Sequence, residues 1–293
     1  MKPQNALAHK GDAVEEWTDV HFFRPLGLRL ARLLEPTGVS ADAVTLWCLV
    51  IGIAGGHLMA YSSERLNLLG VALFVISDIF DSADGQLARI RGTSSRFGRV
   101  LDGIADMSRF ANLYVHLLFR AHFAHWGWHG YALVMAAALS HSLQVQIVDI
   151  VKNAYQRLGE GNGSELDLVE ELAPIEGFGP RQVAQRIYRA YVRRQEPLFP
   201  STMALVRATP ASPPTGLRDA YVASQRPLLW TLPLIATNIR FPLMAIGAYY
   251  GMTWFLWTTV VPLNLVAAVI LAVHERHARA LLAHVKVSVP VRP

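Results

Sequence analysis

Apolar residues in this chain fall into long unbroken runs, without the strict alternation of a half-buried strand. Six runs are long enough to cross a bilayer, at roughly 43–61, 66–88, 99–122, 129–151, 228–250 and 253–273. They predict an all-α polytopic membrane protein with six transmembrane helices, an even number that returns both termini to one side. The third and fourth runs are joined by HFAHWGWHG, whose Trp126 and Trp128 suit a membrane interface, and the last two by the short turn YYGMTW.

Two polar stretches interrupt this pattern. Residues 15–34 mix Trp17, Phe22, Phe23, Leu26, Leu30 and Leu33 with Arg24, Arg29 and Arg32, which predicts an N-terminal interfacial helix. Residues 152–226 are too long for a turn. They hold GEGNGSELD, a basic amphipathic stretch from Pro180 to Glu196 and a Pro-rich ATPASPP linker, and predict a cytoplasmic helical insertion. The expected layout is therefore an interfacial segment 1–41, helices one to four in 42–151, the insertion 152–226, helices five and six in 227–274 and a tail 275–293. Gly52 and Gly56 form a GxxxG spacing, read as close helix packing.

Composition agrees with the pattern. The 293 residues are 52% hydrophobic and 17% charged with a mean hydropathy of +0.28, too apolar for an ordinary soluble domain. The opening MKPQNALAHKGDAVEEW is polar and unlike a cleavable signal, so the first span is expected to direct insertion. The single cysteine, Cys48, lies in that span, has no partner for a disulfide within the chain and reads as a small buried hydrophobe.

Charge sets the orientation. Of 27 Lys and Arg, 23 fall before residue 42, between Arg89 and Arg99, from Lys152 to Arg226 or after His274. Only Arg65 and Arg120 fall in the opposite loops, while Arg109 and Arg240 lie within spans. By the positive-inside rule both termini and the insertion are cytoplasmic, in the cell (inner) membrane.

Carboxylates then stand out. On a helix at about 100° per residue, Asp81, Asp84, Gly85 and Ala88 share one narrow face with Arg89 at its edge, and Gly98, Asp102, Asp106 and Arg109 form a second stripe. About fifteen apolar residues precede Asp81, a rise of roughly 22 Å, which puts the acids inside the membrane boundary. An aspartate at that depth costs on the order of 3 kcal/mol, so four need a polar cavity and cations. Carboxylate oxygens are ligands for Mg²⁺, Mn²⁺ or Ca²⁺, and a two-metal cluster accounts for them.

The string Asp81-x2-Asp84-Gly85-x2-Ala88-Arg89-x8-Gly98-x3-Asp102-x3-Asp106 resembles the full signature of the CDP-alcohol phosphatidyltransferases. Upstream, where that family often has Pro-Asn a few residues before a Thr, this chain has Ala41, Asp42 and Thr45. The resemblance implies that Asp81, Asp84, Asp102 and Asp106 hold two divalent ions, Mg²⁺ or Mn²⁺, and that Asp106 is the general base. It implies that Asp81, Asp84, Gly85, Ala88, Arg89 and Gly98 form the CDP site. The reaction would pass a phospho-alcohol, with phosphatidyl from CDP-diacylglycerol the leading case, to a hydroxyl of an inositol phosphate or glycerol 3-phosphate, releasing CMP. Transfer of a CDP-activated headgroup to diacylglycerol or a ceramide uses the same motif. Expected partners are the CDP-linked alcohol, the bilayer and a second copy in a homodimer, with no nucleic acid.

Outside the motif, Arg109 and Arg240 are intramembrane cations, read either as anchors for an acceptor phosphate or as partners of the aspartates. Asp78 lies near the same face and reads either as a support of the cluster or as a polar helix end, and His141, Gln144, Gln146 and Asp149 read either as a helix–helix hydrogen-bond network or as contacts to the acceptor. A divalent-cation transporter would need acids near the midplane and a second gate, yet the last two spans contain no acid.

Overall fold

The structure is a computed structural model describing residues 14–161, 166, 168–210 and 212–288. It is all helical, with no strand among the described residues. The helices are α1 Arg24–Leu34, α2 Ala41–Leu58, α3 Glu64–Arg91, α4 Arg96–Phe123, α5 Gly127–Ala154, α6 Pro180–Gln195, α7 Pro200–Ala208, α8 Thr215–Leu229, α9 Arg240–Tyr250, α10 Met252–Val260 and α11 Pro262–Ser288.

Among the described residues, four stretches are long and apolar enough to cross a membrane: Ala41–Leu58, Glu64–Arg91, Gly127–Glu160 and Met252–Val285. They match the first, second, fourth and sixth expected runs. The third run is the helix α4, set apart by its six charged residues. The fifth differs from expectation, because 228–250 is not one helix. α8 ends at Leu229, a 3-10 turn covers Leu232–Leu234 and α9 begins only at Arg240. Pro227 and Pro233 withhold backbone donors here. The remaining 11 residues of α9 rise only about 16 Å, half a hydrocarbon core. α11 also runs through the boundary expected at 274.

The chain divides into two compact units, Met1–His141 with Thr237–Val261, and Ser142–Ala236 with Pro262–Pro293. The core of the first is built from Phe74, Leu113, Leu117, Phe241, Met244 and Phe255, with Val134 and Ala137 of α5. α2 packs on α3 and α4, and α1 on α3. α1 is the helix expected from 15–34, entered through a π-helical turn, Asp19–Phe23. Its Ala31 joins Val44, Ala83 and Leu87 in a small cluster, and a Cβ on its Gly27 would sit 2.7 Å from Ser82 Oγ. α1 thus lies against the stretch of α3 that carries the aspartates.

The second unit holds most of the insertion. The amphipathic stretch from Pro180 forms α6, and ATPASPP separates α7 from α8; GEGNGSELD lies largely outside the described residues. Glu275 of α11 accepts from the amides of Ser201 and Thr202 at 2.7 and 3.0 Å, which satisfies the orphan donors at the start of α7. Tyr191 Oη donates to Asp149 at 2.5 Å, and Gln144 Nε2 to Asn264 Oδ1 at 2.7 Å. Gln144 and Asp149 of the fourth span thus bond to other helices, whereas Gln146 donates to Ser142 within α5.

Candidate functional site: a carboxylate cluster on α3 and α4

α2 and the two helices that carry the motif each start after a serine. Ser40, Ser63 and Ser95 accept from the amides of Ala43, Leu66 and Gly98 at 3.2, 3.5 and 2.9 Å. α3 stops at Gly92, whose φ of +66° is the left-handed state that an L side chain avoids, and Thr93 N–H closes the end on Ala88 O. The sharp turn to Ser95 lets α4 start at Arg96, four residues after Gly92. Arg91 fastens this end, donating to the carbonyls of Leu34, Glu35, Thr37 and Val39.

The two stripes meet. One carboxylate oxygen each from Asp81, Asp84 and Asp102 lie within 4.8 Å of one another, with Asp84 buried and the other two half-buried. Oxygen ligands of Mg²⁺ at about 2.1 Å stand up to about 4.2 Å apart across the ion, so a small inward movement brings all three onto one cation. The donor set is hard oxygen throughout, with no imidazole in the group. These residues fit a divalent ion of the Mg²⁺ type.

Asp106 stands apart from this group, its carboxylate paired with Arg109 one turn on. Its side chain is 45% exposed, open to an incoming group. The same guanidinium pairs with Asp78 Oδ1 at 2.8 Å and Asp81 Oδ1 at 3.8 Å, and donates to Ser77 Oγ at 2.7 Å. Arg109 thus brackets three carboxylates. Arg240 is fully buried at the start of α9 and hydrogen-bonds Tyr114, whose hydroxyl lies 3.1 Å from His141 Nδ1.

Around the cluster, a Cβ added to Gly85 would meet only the Arg89 guanidinium, at 3.4 Å, so space opens beside Asp84. Ala88 is half-buried on the same face, and Gly98 lies near Asp42, whose Oδ1 would be 3.9 Å from a Cβ there.

Three residues carry more than the sequence reading gave them. Thr45 Oγ1 donates to Asp84 Oδ2 at 2.5 Å, holding a metal-facing carboxylate from α2. Ser77 accepts from Arg109 and donates to Cys48 O at 2.7 Å. A Cβ on Gly52 would fall 2.4 Å from Arg109 Cδ, so this glycine makes room for the bracket, whereas Gly56 allows α4 to approach at Asn112 and Leu113. The signal for Ser77 was its place one residue before Asp78; for Gly52 there was only the GxxxG spacing.

Residues 39–158 match the family model of CDP-alcohol phosphatidyltransferases. Two curated relatives are phosphatidylinositol phosphate synthases. That of Mycobacteroides abscessus is 28% identical over 144 residues, covering 49% of this chain and 63% of the relative. That of Mycobacterium marinum is 29% identical over 144 residues, covering 49% and 59%. The chain thus spans less than two thirds of the length of these relatives.

Proposed function

We propose, from the premise that this chain carries a CDP-alcohol phosphatidyltransferase domain over residues 39–158, that it transfers phosphatidyl from CDP-diacylglycerol to a hydroxyl of an inositol phosphate and releases CMP. The observation that carries the reading is the convergence of Asp81, Asp84 and Asp102 within 4.8 Å on α3 and α4. The names of the two relatives favour inositol phosphate over glycerol 3-phosphate as acceptor.

In this reading Asp81, Asp84, Asp102 and Asp106 would hold two divalent ions, Mg²⁺ or Mn²⁺, which would supply positive charge against the donor's diphosphate. Gly85, Ala88 and Gly98 leave room for the cytidine nucleotide, and Arg89 contacts its phosphates. Asp106 takes the proton of the acceptor hydroxyl as the new P–O bond forms; the anhydride P–O bond breaks and CMP leaves with its electron pair. Arg109 serves the base, keeping Asp106 aimed while bridging it to Asp78 and Asp81. Arg240 is buried and hydrogen-bonds Tyr114.

The protein crosses the inner membrane six times in this reading, with α4 as the third pass and the short α9 within the fifth. The carboxylates then face the cytoplasm, where soluble inositol phosphate meets a lipid-borne donor, and the active form is a homodimer. CMP release by the purified protein, measured across a panel of CDP-alcohols and acceptors with and without chelator, tests the assignment. The expected result is release with CDP-diacylglycerol and inositol phosphate only, abolished by chelation and restored by Mg²⁺ or Mn²⁺. Chelator-resistant release, or preference for a diacylglycerol acceptor, overturns it.

A further inference from the structure

The ends of α2 and α4 remote from the carboxylates carry a second chemical cluster. His57 lies 12 residues beyond Thr45 and His116 lies 14 beyond Asp102, about 18 and 21 Å along their helices. There His57 Nδ1 faces His116 Nε2 at 3.0 Å, the two rings nearly perpendicular at 87°. Both line a cavity of about 400 Å³ together with Tyr61, Ser62 and Phe119.

The surrounding bonds fix the tautomers. His116 Nδ1 lies 2.9 Å from Asn112 O, and a carbonyl can only accept, so Nδ1 carries the proton and Nε2 presents a lone pair. His57 Nδ1 therefore donates the proton that lies between the two rings, and His57 Nε2 accepts from the Tyr61 hydroxyl at 3.3 Å. Because that hydroxyl can accept as well as donate, moving the His57 proton to Nε2 leaves both inner nitrogens with lone pairs and each outer N–H with an oxygen behind it. That is the arrangement in which metal-ligating histidines are held. The turn behind them is set: Asn67 Nδ2 donates to Leu58 O and Tyr61 O, both at 3.0 Å, while Arg120 Nη1 bonds Tyr61 O at 2.9 Å and Asn67 Oδ1 at 2.7 Å.

We propose that His57 and His116 form a transition-metal site, separate from the carboxylate cluster and selective for an imidazole-seeking divalent ion such as Zn²⁺ or Cu²⁺. Nitrogens bound to Zn²⁺ at about 2.0–2.1 Å in tetrahedral geometry stand about 3.3 Å apart, so the pair needs to open by only a few tenths of an ångström. The half-exposed cavity leaves the remaining positions to water. Mg²⁺, which prefers oxygen ligands, does not compete for this site. Bound metal would cross-link α2 to α4, the helices that bring Thr45, Asp102 and Asp106 to the other end.

The test uses the full-length protein, purified with a tag that contains no histidine and titrated with Cu²⁺ or Zn²⁺ alone in the presence of excess Mg²⁺. Wild type should bind one Cu²⁺ whose electron paramagnetic resonance spectrum shows two coupled nitrogens, and one Zn²⁺ that raises the thermal midpoint. His57→Ala and His116→Ala should each weaken Zn²⁺ binding at least about tenfold and leave a single coupled nitrogen. His57→Asn, at an exposed position that keeps a hydrogen-bonding side chain, should do the same with an unchanged metal-free midpoint and so separates loss of ligand from loss of fold. Binding that persists unchanged in the double variant, or no binding by wild type, overturns the proposal.

Discussion

At the scale of single residues the site divides labour between similar groups. Asp81, Asp84 and Asp102 point at one place, whereas Asp106 is tied to Arg109 and left open. Asp106→Asn keeps the shape and removes the basicity, so it should lower kcat by about 10²–10⁴ while CDP-diacylglycerol still binds. Normal turnover in that variant, followed by CMP release with donor binding measured separately, removes Asp106 from the role of base. Gly52 offers a less obvious test. A methyl there collides with Arg109 Cγ and Cδ, at 2.7 and 2.4 Å. Gly52→Ala should therefore displace the bracket and cost at least about tenfold in kcat, since misplacing a catalytic group by about 1 Å is that expensive. A variant with wild-type kcat would show that Arg109 need not stay where it is.

At the scale of elements, short polar contacts decide where helices begin and stop. The segment Val169–Glu171 is an example in the second unit. Arg157 forks onto Glu171, Nη1 to Oε2 at 3.1 Å and Nη2 to Oε1 at 2.8 Å, and Glu171 Oε2 also accepts from Leu168 N at 3.1 Å. The hydrogen bond from Arg157 is the main reason the Glu171 carboxyl is held below the usual glutamate range. A depressed carboxylate stabilises the fold above its unfolded value and loses that contribution as pH falls through its folded value. Amide exchange at Leu168 should thus be slow and constant above about pH 5, after correction for the intrinsic rate, and quicken as the medium becomes more acid. In Glu171→Gln the pH dependence should vanish; a matching profile in both proteins means that the fork does not hold this turn.

At the scale of the whole molecule, basic residues set which side of a membrane each helix end faces. With 23 of 27 basic residues on one set of segments, a reporter fused after Pro293 should read as cytoplasmic and one inserted at Gly127 as external. The reverse pattern would separate the carboxylates from a cytosolic acceptor and sink the proposed reaction along with the topology. In that topology the His57–His116 pair lies on the external side, at the ends of α2 and α4 remote from the carboxylates, so the two clusters can be probed independently.

The sequence by itself determined the class of molecule and the acids at its centre. Apolar runs of about 20 residues and carboxylates three or four apart are local patterns, and helical periodicity alone turns them into spans and stripes. Periodicity could not settle the fifth run, where prolines and polar residues between 227 and 240 break one apolar segment into α8, a 3-10 turn and a short α9. Nor could it choose between the two readings of Arg109, because that depends on Ser77 and Asp78 arriving from another helix. Thr45 on Asp84, Gly52 beneath Arg109 and His57 against His116 are pairs separated by 39, 57 and 59 positions. Only the tertiary structure decides such pairs, because the energy of a hydrogen bond or a close contact depends on distance in space and not along the chain.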